Sequence, residues 1–168
     1  AVVFAGLTEI YESEGFDRKH INLPPAHNEL IKAVSECNSN VVVVLSGGSA
    51  VSMPWLYDVK AVLNGLLLGQ AGGGATFDVL TGKVNPSGKL SETYPLDLED
   101  TPSRNNFPGT LLSVEYRESI FIGYRYYDKT EKDVLFPFGF GLSYTTFEYS
   151  DIKLSSKEID DNEILTVS

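Results

Sequence analysis

The chain opens on an apolar run, Ala1-Val2-Val3-Phe4-Ala5-Gly6-Leu7, that gives way to polar residues and glycine. A short run of this kind, rich in Val, predicts a buried parallel strand. Leu23-Pro24-Pro25 offers a helix start, and Leu30, Ile31, Val34 and Cys37 recur at helical spacing until Asn38-Ser39-Asn40 stops the pattern. Asn40 to Leu45 holds four consecutive valines, which suit a second strand covered on both faces, and a strand, a helix and a strand make a βαβ unit. A third strand falls within Val59 to Leu68, and a second helix runs from Gly72 to Leu80 and ends near Thr81-Gly82.

Further along, the pattern changes. Asn85-Pro86-Ser87-Gly88 predicts a turn and Lys89 to Tyr94 an extended segment. Pro95 to Val114, dense in Pro, Ser, Asn and Gly, predicts a long surface excursion. Ile120 to Tyr127 reads as an aromatic strand, and Phe136 to Tyr144 is too rich in Gly and aromatic residues for a helix. From Phe147, and again over Ile164 to Val167, alternation of period two predicts antiparallel strands. The expected architecture is α/β, a mostly parallel sheet with helices on both faces, followed by the first strands of a β-sandwich. The boundary falls at 146/147.

Charge and composition narrow the partners. The 168 residues carry 13 Lys and Arg against 23 Asp and Glu, a net charge of −10 that repels phosphate backbones and anionic lipid. Neither nucleic acid nor a membrane is an expected partner, and no apolar run reaches the roughly 20 residues of a membrane helix. The one cysteine, Cys37, lies in an apolar stretch that predicts a packed thiol; it excludes an intrachain disulfide and leaves the compartment open, with the cytoplasm favoured over export. The chain begins inside an apolar strand and reads as an excised piece. An unpaired sheet edge or exposed apolar face would then favour a homodimer.

Open α/β sheets build their sites beyond the carboxyl ends of the strands. That places Tyr11-Glu12-Ser13-Glu14-Gly15-Phe16-Asp17-Arg18-Lys19, the loop after the first strand, where chemistry is usually done. From spacing alone, a carboxylate such as Glu14 on this loop is more often solvated than catalytic. Glu12 reads as support or as solvent-exposed, and Asp17 with Arg18 as an ion pair fixing the loop, Glu12 being the other carboxylate open to pairing with Arg18 or Lys19. Ser46-Gly47-Gly48-Ser49 lacks a nucleophile elbow and reads as a tight turn. Gly72-Gly73-Gly74 lacks the residues of a P-loop or dinucleotide fingerprint, and close packing of loop on sheet accounts for its glycines. His20 and His27 have no metal-ligand spacing around them and suit surface or capping roles, so no metal or other cofactor is expected. Trp55 suits a sugar platform and a packing role about equally.

Three stretches carry a resemblance to a known family. They are Glu12-Ser13-Glu14-Gly15-Phe16-Asp17-Arg18; Gly69-Gln70-Ala71-Gly72-Gly73 with Asp78 through Asn85-Pro86-Ser87-Gly88-Lys89-Leu90; and Gly123-Tyr124-Arg125-Tyr126-Tyr127 with Phe136-Pro137-Phe138-Gly139-Phe140-Gly141-Leu142-Ser143-Tyr144. Together they resemble the second domain of glycoside hydrolase family 3, which contains many β-glucosidases. The resemblance implies that residues 1–146 are the C-terminal α/β sandwich domain without its N-terminal part, and that 147–168 begin a truncated fibronectin type III-like domain. It implies a retaining hydrolase of terminal β-linked sugars, in which an aspartate on a separate (β/α)8 barrel is the nucleophile and Glu14 is the general acid/base. The partners implied are that barrel and a β-glycoside or oligosaccharide substrate, and the isolated fragment should be inactive. A non-catalytic carbohydrate-binding module remains open beside this reading, as does a nucleotide site at Ser46–Ser49 and Gly69–Gly74.

Overall fold

The computed structural model describes residues 1–168. Three strands, β1 (Val2–Gly6), β2 (Val42–Ser46) and β3 (Ala61–Asn64), form a parallel sheet in the order β1-β2-β3. Helix α1 (Pro25–Cys37) makes the crossover from β1 to β2, and α2 (Gly72–Leu80) follows β3. The fold is α/β, as the hydrophobic pattern predicts. Pro25 starts α1, where its missing N–H costs nothing and its φ is already helical. The helix ends as Asn38 turns extended, its N–H donating to the Val34 carbonyl.

The registers Val3↔Val43↔Val62 and Ala5↔Leu45↔Asn64 put these residues on one face of the sheet. This is the core face, where Val3, Ala5, Val43 and Leu45 pack with Ile31 of α1 and with Leu23, Val51, Met53, Trp55 and Tyr94. Trp55 is 3% exposed and its Nε1 donates to Asn28 Oδ1 at 2.8 Å, so its role is packing and not that of a sugar platform. The other face is open at β1: Phe4 is 66% exposed and Val2 50%. The full burial expected of the first strand is therefore halved, because the chain supplies no element to cover that side. Cys37 also differs from expectation. It lies at the last turn of α1 on the side away from Ile31 and is exposed.

Beyond α2 the chain builds a second layer. The extended segment after Lys89 shrinks to a two-residue strand, β4 (Tyr94–Pro95), while α3 (Tyr124–Thr130) follows the long excursion and β5 (Val134–Phe136) pairs antiparallel with β4. Here the aromatic run expected as a strand is a helix. Gly123, at φ +55°, breaks the extended path just before it, and Tyr127 buries one helical face at 7% exposure. Tertiary burial of one aromatic thus overrides strand propensity. The excursion after β4, 96–114, holds turns, one short 3-10 helix, Leu98–Asp100, and an isolated bridge, Thr110↔Ser113, and includes a cis Phe107–Pro108 bond.

Two of the sequence strings that carry the family resemblance meet in space. Leu90 N–H donates to the Phe140 carbonyl and Gly139 N–H to the Leu90 carbonyl, both at 2.8 Å, and Tyr144 N–H donates to Asn85 Oδ1 at 2.8 Å. A Cβ on Gly141 would stand 2.6 Å from the Gly88 carbonyl oxygen, which explains glycine there. The final residues form an antiparallel bridge, Leu154↔Val167, with Lys153 and Ser168 exchanging backbone bonds.

Candidate active site

The three strands deliver their carboxyl ends to one edge. There the loop after β1 meets the turn after β2: Leu7 N–H donates to the Ser46 carbonyl, and Gly47 N–H reaches the Leu66 carbonyl beyond β3. A turn follows β1, in which the Tyr11 and Glu12 amides both donate to the Thr8 carbonyl. It brings Glu12 over the 46–49 turn. Glu12 Oε2 accepts from the Gly48 amide at 2.7 Å, and its Oε1 accepts from Ser49 Oγ at 3.2 Å. Six residues on, Arg18 Nη1 donates to the same Ser49 Oγ at 2.5 Å and, at 3.4 Å, to the Ala50 carbonyl. Between these anchors Glu14 stands exposed, its backbone carbonyl accepting from Ser13 Oγ.

The expected Asp17–Arg18 ion pair does not form. Arg18 turns instead to Ser49 and Ala50, where two carboxylates other than Asp17 face it. Burial holds the guanidinium pKa below its ordinary value, against the pull of Glu12 and then Glu92. Its Nη2 is buried with no hydrogen-bond partner. Glu12 is thus a supporting residue, and the 46–49 segment is a turn, as expected.

Glu12 and Arg18 line a cleft of about 810 Å³. Its lining includes Glu12, Asp17 and Arg18 of the loop after β1, Ser49 and Ala50 of the turn after β2, Glu92 just before β4, and the aromatic residues Tyr124, Tyr127 and Phe138. Glu14 is not among the lining residues; it is exposed on the loop whose neighbours Ser13 and Phe16 line the cleft. Tyr124 stacks on Phe138 with ring centroids 4.8 Å apart, putting a stacked aromatic pair in the cleft lining. Burial, and then the nearby Asp100 carboxylate, push the Tyr127 hydroxyl up to about 12. Below the cleft, Asn64 Nδ2 donates to the buried Tyr94 hydroxyl at 2.6 Å and links β3 to β4.

Sequence reasoning missed Glu92. It sits in an extended segment with no local signature, and only the fold brings it to Arg18 and Glu12. Burial raises its pKa above the ordinary carboxylate value; the Ala50 backbone amide and the Arg18 charge oppose the rise, and Glu12 adds to it. A carboxyl with a raised folded pKa stabilises the fold below its unfolded pKa, and that stability is lost as pH rises through the folded value. Glu92→Gln mimics the protonated form. In thermal unfolding of the intact protein it is expected to raise Tm at neutral pH, with the gain vanishing below about pH 4, near the ordinary Glu value.

Of the other sequence candidates, Gly72 is held by close packing, since a Cβ there would meet Leu68 Cβ at 2.6 Å, whereas Gly73 and Gly74 have open space. His27 Nδ1 accepts the Gly6 amide at 3.3 Å, and His20 is exposed beside the Tyr11 ring. No group of three or more His, Cys, Asp or Glu is placed to hold a metal ion, and no helix is long and apolar enough to cross a membrane.

A mixed-charge cleft at the carboxyl edge of a parallel sheet defines an α/β domain of the kind that carries its site on loops. Residues 1–144 match the model of the glycosyl hydrolase family 3 C-terminal domain, and the chain belongs to that family. Thermostable beta-glucosidase B of Acetivibrio thermocellus is 60% identical over 168 residues, all of this chain and 22% of that protein. An exo-alpha-(1->6)-L-arabinopyranosidase of Bifidobacterium longum is 48% identical over 155 residues, 92% of this chain and 20% of that protein. Among solved structures, the GH3 beta-glucosidase of Bifidobacterium adolescentis superposes with a TM-score of 0.89 at 51% identity, covering 94% of this chain and 23% of that one. The beta-glucosidase of Kluyveromyces marxianus in complex with glucose gives 0.85 at 45% identity, covering 95% and 19%. The chain therefore spans less than a quarter of the length of these relatives.

Proposed function

We propose that this chain is the part of a retaining β-glycosidase that supplies the general acid/base, Glu14, for hydrolysis of terminal non-reducing β-linked sugars. The nucleophile is an aspartate on a (β/α)8 barrel outside these 168 residues, so the fragment alone is inactive. Residues 147–168 are read as the start of a fibronectin type III-like domain, in keeping with their antiparallel bridge.

The observation that carries the reading is the placement of Glu14: an exposed carboxylate on the loop beyond β1, between Ser13 and Phe16 that line the cleft, inside the stretch that matches the family. Retention requires two carboxyl groups about 5 to 5.5 Å apart, one bonding the anomeric carbon and the other exchanging a proton with the leaving oxygen and then with water. An exposed carboxylate on such a loop is free to meet such a partner across a domain interface. A buried one would not be. Arg18 is the nearest cation in sequence on the cleft wall, and Glu12 and Glu92 face its charge, which lessens its pull on Glu14.

The test uses the intact protein. With Glu14→Ala, an activated 2,4-dinitrophenyl β-glucoside should still glycosylate the enzyme while hydrolysis of the intermediate stalls. Azide should then restore turnover and release the β-glycosyl azide. Turnover at the wild-type rate without azide, or an azide product of α configuration, would overturn the assignment.

A further inference from the structure

We propose that Glu12, Ser49 and Arg18 form a clamp that positions Glu14, with Glu12 and Arg18 as positioning residues and the Ser49 hydroxyl as the point where the two ends of the loop close. The inference rests on Glu14 being the acid/base. Its geometry, however, is independent of that role.

Residues 13 to 17 are all exposed, and Gly15 at φ +94° adds a flexible point. Within these five residues the one hydrogen bond is from Ser13 Oγ to the Glu14 carbonyl, so nothing inside the loop ties it to the body of the domain. Its ends do that. Glu12 reaches the Gly48 amide and Ser49 Oγ, and Arg18 reaches the same Oγ, so that one hydroxyl donates to the carboxylate and accepts from the guanidinium. The partners lie more than 30 residues away, on the rigid turn that follows β2. Gly48 belongs to the design: a Cβ there would stand 3.1 Å from Glu12 Oε1 and 3.1 Å from Leu67 Cδ1, crowding the carboxylate away from the amide. Both bonds to Glu12 are charge-assisted, and so is the one from Arg18. An acid/base two residues from one anchor and four from the other is thus held to the sheet through side chains alone.

Proton transfer is sensitive to such placement, a 1 Å error costing about 100-fold. A displaced acid harms substrates whose leaving group needs a proton and spares those whose leaving group departs as a stable anion. In the intact protein, Ser49→Ala and Glu12→Ala are expected to lower kcat/KM by about 10- to 100-fold for a 4-methoxyphenyl β-glucoside, yet by less than about twofold for the 2,4-dinitrophenyl substrate. Glu12→Gln keeps an oxygen that accepts the Gly48 amide and should recover part of the loss. A residue that only supports folding would lower both substrates equally, and that result, or no loss on either, would overturn the clamp. Glu14→Gln run in parallel separates the two readings. Loss there with none in Ser49→Ala removes the clamp alone, whereas no loss in Glu14→Gln removes the acid/base assignment and the clamp with it.

Discussion

Glu14→Gln in the intact protein is expected to lower kcat/KM for an unactivated aryl β-glucoside by about 10²- to 10⁴-fold, the usual share of one positioned proton donor. The amide is nearly isosteric and fills the same space on an exposed loop, so the thermal midpoint should stay within about a degree, because surface changes of this kind lie within about 0.5 kcal/mol. That separation of activity from stability is the signature sought. The loss should shrink as the leaving group's conjugate acid becomes stronger, and the alkaline limb of the pH profile, where a proton donor is lost, should vanish. Equal losses across leaving groups would point to binding and not to protonation, and an unchanged rate would remove Glu14 from the reaction.

Gly6→Ala is expected to be the most destabilising single methyl in the domain. Gly6 ends β1 opposite Ser46, and a Cβ there would stand 2.0 Å from the Ser46 carbonyl oxygen and 2.9 Å from its carbon. That oxygen is fixed by the amide of Leu7, which bonds to it at 2.9 Å, and the Gly6 amide is itself held by His27. No rotamer change relieves a collision between two backbones. The strands must part at the edge that carries Glu12 and the 46–49 turn, at a cost of about 4 kcal/mol or more, in the range reserved for named structural lesions. Soluble yield and urea midpoint of the intact protein should both fall sharply. Gly74→Ala serves as the control: it lies inside α2 with nothing within 4 Å of an added Cβ, and it should stabilise by roughly 0.5 to 1 kcal/mol through lost unfolded-state freedom. If Gly6→Ala unfolds at the same urea concentration as Gly74→Ala, the strand ends are not packed as described.

The elements that carry these positions show where sequence reading succeeds. The valine runs at 2–3 and 41–44 fix parallel strands because period and residue type agree, and Pro25 marks a helix start by chemistry any sequence exposes. Loops at strand ends inherit their location from that order, which is why the placement of Glu12 and Glu14 on the loop after β1 was legible. Long-range partners were not. Ser49 and Glu92 reach Arg18 only through the crossover and the second layer, and nothing near Glu92 in sequence signals it, whereas adjacency alone suggested Asp17. The helix at 124–130 was hidden because Tyr and Phe favour strands until burial of Tyr127 decides otherwise. Cys37 carried an apolar neighbourhood in sequence but falls on the outer side of its helix, and the exposure of Val2 and Phe4 on one face of β1 is set by tertiary packing, which no local pattern encodes.

The exposed thiol at the end of α1 has a practical use. Because α1 runs antiparallel to the strands it connects, Cys37 lies toward the amino-terminal edge of the sheet, across the domain from the Glu12–Ser49 junction. A maleimide dye coupled there would report on rotational tumbling and on docking of a neighbouring module without a label intruding on the reacting groups.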